Sequence, residues 1–231
     1  PTSRYFSKNH RSFLWIDDVI LVIDDVCSHE DGTFSLLFHP DGVSRKNGID
    51  LSVVNQQAAV DIRPLWPDYL TESDFEHDFP YNLKLKAHQG PKAKKTDEME
   101  TYYSVTYPIK AQSVKFITAI ILKDSPASKN IPQVTRLKGD DLQGVRIAKG
   151  DKITDVYLNT RADGHIMHRN SCTNVNGWDT DAYLLAFSYK KGTDPAVSKN
   201  ILEWFIGYGS YVRNAHESIF DSYTKKYKVI R

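Results

Sequence analysis

Little in this chain could staple a fold or bind a metal through sulfur. Its 231 residues include two cysteines, Cys27 and Cys172, which excludes a disulfide-dense scaffold and any CxxC zinc module. Both follow strand-like stretches, so one bridge and two separate thiols are both compatible with the sequence, separate thiols being the simpler reading. No run approaches the about 18 apolar residues that a membrane-spanning helix needs. Net charge is missing too, with 30 Lys+Arg against 29 Asp+Glu. Such a balance offers no global field for a polyanion and argues against nucleic acid as a partner. HExxH, EF-hand and G-x-S-x-G patterns are absent, so the motifs point to no metal, no cofactor and no nucleophile elbow. The chain opens on Pro1-Thr2-Ser3 with neither an initiator Met nor a signal peptide, and reads as an excised or processed piece.

What the chain does contain is many short apolar runs, broken at close intervals by Gly, Pro, Asn or Asp. Short strands with turn signals at that spacing predict an all-β fold, a large antiparallel β-sandwich of stacked sheets, supersandwich-like. A chain of this length can bury roughly 70% of its unfolded surface without metal or disulfide. Phe13 to Ile16 and Val19 to Ile23 flank Asp17-Asp18, a pair suited to a tight turn, and predict a β-hairpin. Asp24-Asp25 reads as the next turn. Thr33 to His39 alternates large and small residues before Pro40-Asp41-Gly42. Ile49 to Val54 and Ala58 to Ile62 form the next pair. From Arg63 to Pro80, three prolines exclude a strand interior and predict a long ordered loop.

Lys84, Lys86, Lys92, Lys94 and Lys95 follow around Gln89-Gly90-Pro91. This segment reads as a solvated loop between strands, with a polyanion-binding patch as the rival reading. Strands resume at 101–107 and 114–122, then at 134–137, 145–148, 153–159, 182–189, 204–207, 217–223 and 227–230. One domain over 1–231 is the simplest partition, with a seam near 124–132 where Ser, Pro and Asn cluster.

The candidate chemistry is sparse. His165 and His168 are the only close histidine pair. Residues three apart on a strand face opposite ways, so surface histidines are the favoured reading over a metal site. Gly207-Tyr208-Gly209-Ser210 reads as a tight β-turn. The pairs Asp17/Asp18, Asp24/Asp25 and Asp140/Asp141 read as turn formers, because adjacent strand residues face apart. Asp179/Asp181 could share a side, although a turn is favoured there as well. Glycosidase chemistry would need two carboxylates facing one another across a sugar.

The order of segments does more. Phe13-Leu14-Trp15-Ile16, then Val19 to Val26 ending Asp24-Asp25-Val26, then Leu36-Leu37-Phe38-His39 resemble the C-terminal half of heparinase II/III-like polysaccharide lyases. Tyr102-Tyr103-Ser104 with Val114 to Leu122 is similar to that family's aromatic segment and following strand, with Lys123 where a proline is common. Asp155 to Gly164 and Trp178 to Ala186 resemble its closing strands. The resemblance implies a β-sandwich that partners an α/α-toroid domain of the same parent protein and helps cleave acidic polysaccharide by β-elimination. It implies a bacterial, periplasmic or secreted setting. The family's H-x-H-x-D segment is not matched: His29 to Phe34 lacks the second histidine and follows the Asp-Asp-Val strand. No catalytic residue is therefore carried across, and the fragment is expected to be inactive alone.

The candidate substrate-contact residues are His39, which ends a strand, Arg63, whose fork suits a carboxylate or sulfate, and Trp66, which offers a stacking face. The structural reading of the last two pairs Arg63 with a nearby acid and packs Trp66 under the proline-rich loop. The rival function is a non-enzymatic carbohydrate-binding or adhesion module, which needs only an aromatic platform on a sheet.

Overall fold

A computed structural model describes residues 4–56, 58–67, 83–92, 95–139, 141–164 and 171–230, with the backbone alone for 95–97 and 223–228. The chain is all-β, of the antiparallel sandwich class that the apolar runs predict, and is built on two large sheets. It divides into two compact units, Pro1–Ile131 and Pro132–Arg231.

Unit 1 holds β1 (Phe6–Ile16), β2 (Val19–Phe38), β3 (Val43–Asn47), β4 (Asp50–Asn55), β5 (Ala58–Trp66), β6 (Lys84–Lys92) and β7 (Lys95–Lys123). They form one antiparallel sheet in the order β1-β2-β7-β5-β4-β3, with β6 also paired to β7. The opening hairpin forms as the sequence predicts: Ile16 pairs Val19 across Asp17, which sits at φ 49, a region Asp tolerates better than branched residues.

The longest strands bend. β2 pairs β7 from Val19↔Ile121 to Cys27↔Ser113, slips around Gly32, and resumes from Phe34↔Tyr107 to Phe38↔Tyr103. Bulges of this kind kink a strand and turn its second half. The core shows the result. Val26, Ile62, Val114 and Phe116 from one half cluster with Phe34, Leu36, Leu85, Tyr103 and Val105 from the other. The sheet therefore folds over on itself into two layers. Each buried aliphatic or aromatic side chain stabilises this closure by roughly 1.5–3 kcal/mol. From β3 across to the second layer, Ser44 Oγ meets Tyr103 Oη at 2.8 Å and Lys46 Nζ donates to the Leu85 carbonyl at 2.9 Å.

Several sequence expectations need correcting in unit 1. Thr33 to His39 is not a separate strand up to Phe38 but the second half of β2, and 101–107 and 114–122 are one strand, β7. β5 runs on through Pro64, which takes its place opposite Thr118. Proline's fixed φ fits an extended chain, and a register shift between Pro64 and Trp66 absorbs its missing donor. The basic segment is not a loop at its start: Lys84–Lys92 is β6. Asp24 and Asp25 are not turn formers either. They lie inside β2, 2% and 1% exposed, and are neutralised from opposite faces. Arg11 Nε donates to Asp24 at 2.5 Å, while Lys8 and Lys115 Nζ reach Asp25 at 2.7 and 2.5 Å. The proline-rich stretch beyond Pro67, with Tyr69, Phe75 and Phe79, lies outside the described residues until Leu83.

Unit 2 holds β8 (Gln133–Gly139), β9 (Leu142–Lys149), β10 (Lys152–Asn159), β11 (Thr173–Val175), β12 (Trp178–Thr180), β13 (Leu184–Lys190), β14 (Ile201–Arg213) and β15 (Ser218–Ile230), with a 3-10 turn at Ser198–Asn200. The sheet order is β11-β12-β14-β13-β10-β9-β8, with β15 on β14. Trp178, Phe187, Trp204 and Ile206 centre its core. Trp178 meets Trp204 edge-on at 5.1 Å and donates its indole N–H to the Pro195 carbonyl at 2.9 Å.

Gly207-Tyr208-Gly209-Ser210 is not a tight turn but the bulged interior of β14, with Tyr208 at φ 52. Gly209 is needed for close approach, since a Cβ there would lie 2.8 Å from that of Ala182. The segments 217–223 and 227–230 are one strand, β15. Cys27 and Cys172 are both free thiols.

Candidate functional site

Period-two alternation decides which side chains leave unit 1's second layer. Leu83, just before β6, and Leu85 within it are buried and alternate with Lys84 and Lys86, after which Ala87 is exposed and His88 half-buried. Along β7, Tyr103 and Val105 are buried while Glu100, Tyr102 and Thr106 are only half-buried. Register then fixes the rows: Lys84 opposite Thr106, Lys86 opposite Ser104, His88 opposite Tyr102, and from β2, Ser35 opposite Thr106 and Leu37 opposite Ser104. Leu83, Leu85, Tyr103 and Val105 face the core, while the opposite face carries Lys84, Lys86, His88, Tyr102, Thr106 and the exposed Leu37.

At one end of this outer face three rings stack. Tyr102 lies between His39, at 5.1 Å and 13°, and His88, at 4.9 Å and 17°. His88 Nε2 meets Ser104 Oγ at 2.8 Å, and His39 Nδ1 meets Glu100 Oε1 at 3.4 Å. Gly90, next on β6, leaves room for the Tyr102 ring: a Cβ there would come within 3.0 Å of it. Beyond the stack, Ser35 Oγ and Thr106 Oγ1 share a hydrogen bond of 2.7 Å. An open depression of about 380 Å³ spans the face between the rings and the lysines. Lys84, Lys86, His88, Tyr102 and Leu37 line it with the hydroxyls of Ser35, Ser104 and Thr106, and His39 and Glu100 stand beyond Tyr102. The set suits a polar, anionic ligand with ring edges for sugar contact.

The three sequence candidates separate. His39 joins this face. Arg63 and Trp66 sit on β5, against the other half of β7 at Ala119 and Ile117. The Arg63 fork is engaged by Asp50, through Nε at 3.0 Å and Nη2 at 2.7 Å. Trp66 is 4% exposed, so its ring presents no stacking face to solvent. His88, Tyr102 and Ser104 were not singled out as site residues by sequence reasoning. The alternation of Leu83 and Leu85 with Lys84 and Lys86 was the signal that could have found their strand.

Three carboxylates of unit 2 are closed off by partners. Asp155, fully buried, accepts two bonds from Arg146 at 2.8 Å and one from Tyr189 Oη at 2.9 Å. Asp181 accepts from Ser210 N and Oγ at 2.7 and 2.6 Å, while Asp179 accepts from Asn174 at 2.7 Å. Burial, then the charge of Asp155, raises the Tyr189 phenol to about 12 and pushes Tyr157 up as well. These groups hold unit 2 together. Among the described residues no cluster of His, Cys, Asp or Glu could hold a metal ion, and His165 and His168 lie outside them.

No family model matches the chain, and no curated protein matches it in sequence.

Proposed function

We propose that this chain is the C-terminal β-sandwich portion of a heparinase II/III-like polysaccharide lyase, and that the outer face of β2, β6 and β7 binds its acidic polysaccharide. The observation that carries the reading is Lys84 and Lys86 in line with the His39–Tyr102–His88 stack on one open face. A uronate or sulfate would lie against the ammonium groups and the sugar ring against the aromatic edge. The residues supply binding and no acid/base dyad, which fits a domain that forms one wall of a cleft and leaves elimination to an α/α-toroid partner. A bacterial periplasmic or secreted setting goes with that role.

The test is calorimetric titration with an oligogalacturonate and a heparin oligosaccharide. Binding should weaken with added salt, because exposed charges are screened within about 10 Å at 0.1 M. A Lys84→Ala/Lys86→Ala double variant should weaken it about tenfold, each exposed charge contributing up to about 1 kcal/mol. Absence of binding to both ligands would remove the proposal.

A non-catalytic carbohydrate-binding module is the second reading, favoured by the same open aromatic face. Presence or absence of unsaturated, ultraviolet-absorbing products when a helical partner is supplied separates the two.

A further inference from the structure

The opening hairpin leaves something bare. Along β1 the odd-numbered residues are all exposed and the even-numbered ones half-buried. The odd row ends Arg11, Phe13, Trp15, and the two rings are 68% and 69% exposed. They stand two residues apart on the same face, opposite Val22 and Ile20, so their centres are roughly 7 Å apart along the strand. Trp15 is held in place: its indole N–H donates to the Asp17 carbonyl at 2.7 Å. Arg11 is oriented by its Nε bond to buried Asp24, with half of its side chain in solvent.

We infer that this row is a second saccharide-binding strip, in which pyranose rings stack on Phe13 and Trp15 while Arg11 takes a uronate or sulfate of the same chain. The inference extends the proposed function, and rests on it for the ligand class. Three observations favour a glycan over a protein partner. Two aromatic side chains bury at most about 500 Å² between them, against the about 800 Å² per partner of a stable protein interface. The row continues through Asn9 and Ser7, polar groups that suit hydroxyls and weaken an apolar seam. A fixed indole loses little conformational freedom on binding, as flat stacking platforms require.

Tryptophan fluorescence reads the strip directly. Of the four tryptophans, Trp66, Trp178 and Trp204 are 4%, 0% and 4% exposed, so acrylamide quenching reports almost wholly on Trp15. With a saturating oligogalacturonate or heparin hexasaccharide, quenching of Trp15 should fall several-fold. Phe13→Ala should weaken that protection roughly tenfold. The Lys84→Ala/Lys86→Ala variant should retain it, which separates the strip from the β2–β6–β7 face. Lysine-sensitive binding with no protection of Trp15 would overturn this inference and leave the proposed function standing. Protection that arises without ligand, as protein concentration rises, would also overturn it, because a second copy would then cover the row.

Discussion

Unit 1 and unit 2 use the same strand chemistry to opposite ends. In unit 2 the central strands are buried along nearly their whole length: six of the seven residues of β13 and the last six of β10 are buried. Their polar groups are closed by partners, Asp155 by Arg146 and Tyr189, Thr154 by Ser188 at 2.8 Å. In unit 1, β6, the second half of β2 and the first half of β7 together keep one outer face open. Buried polar groups with every bond made rigidify a fold. A face that carries charge, hydroxyl and ring at the surface is one a polar ligand can reach. The contrast is the reason the proposed recognition surface is placed on unit 1 and a scaffold role on unit 2.

The largest expected effect lies in the scaffold. Trp178→Ala should cost about 4 kcal/mol, since it empties a fully buried site packed on Trp204. Thermal unfolding measures this, and a loss below about 1 kcal/mol would contradict the packing described. Next comes a heavily charged buried point of unit 1. Asp25→Ala removes the buried carboxylate that Lys8 and Lys115 both reach, and should cost about 3 kcal/mol. Restoring stability by adding Lys115→Met would confirm that the buried Lys115 ammonium is the cause.

How much of this was legible from residue order follows the range of the forces. The first hairpin was, because Asp17-Asp18 between two apolar runs is a local signal. Asp24-Asp25 is not legible as strand interior, because the lysines that neutralise Asp25 sit on other strands, Lys8 17 residues away and Lys115 90 away. Charge in a strand interior reads as a turn until its partner is known. β6 was misread for the same reason: its lysines look like a loop, and only pairing to β7 turns the weak Leu83, Leu85 alternation into a strand. His39 was legible as a strand end. Its companions were not, since His88 and Tyr102 meet it through register alone. The solvent-shielded position of Trp66 is likewise a tertiary fact.

Alkaline pH separates the units more gently. In unit 2 the phenols of Tyr157, Tyr189 and Tyr211 are raised, chiefly by burial, that of Tyr189 to about 12. The unfolded chain releases these protons from about pH 10, and the folded chain later. Stability is therefore lost as pH climbs from about 10 through the folded values. In unit 1, burial lowers the Lys115 ammonium below its usual range, so the folded state sheds that proton first and gains stability as pH rises from that lowered value to about 10. Urea unfolding at pH 8 and pH 11 should show the loss, and Tyr189→Phe should reduce it. A profile flat through pH 11 would contradict the assignment.

The smallest effect on stability belongs to the recognition face. Lys84→Ala and Lys86→Ala should each change it by less than about 0.5 kcal/mol, as expected of surface positions, while impairing polysaccharide binding. A large loss of stability would make those lysines structural and erase the contrast between the units.

The central claim is that the His39–Tyr102–His88 face of unit 1 meets the polysaccharide. The most direct test follows imidazole resonances by NMR while an oligogalacturonate is titrated in. The account predicts that the His39 and His88 signals move together and saturate, while that of His216 in unit 2 stays in place. Saturable binding that leaves both His39 and His88 unmoved would contradict it.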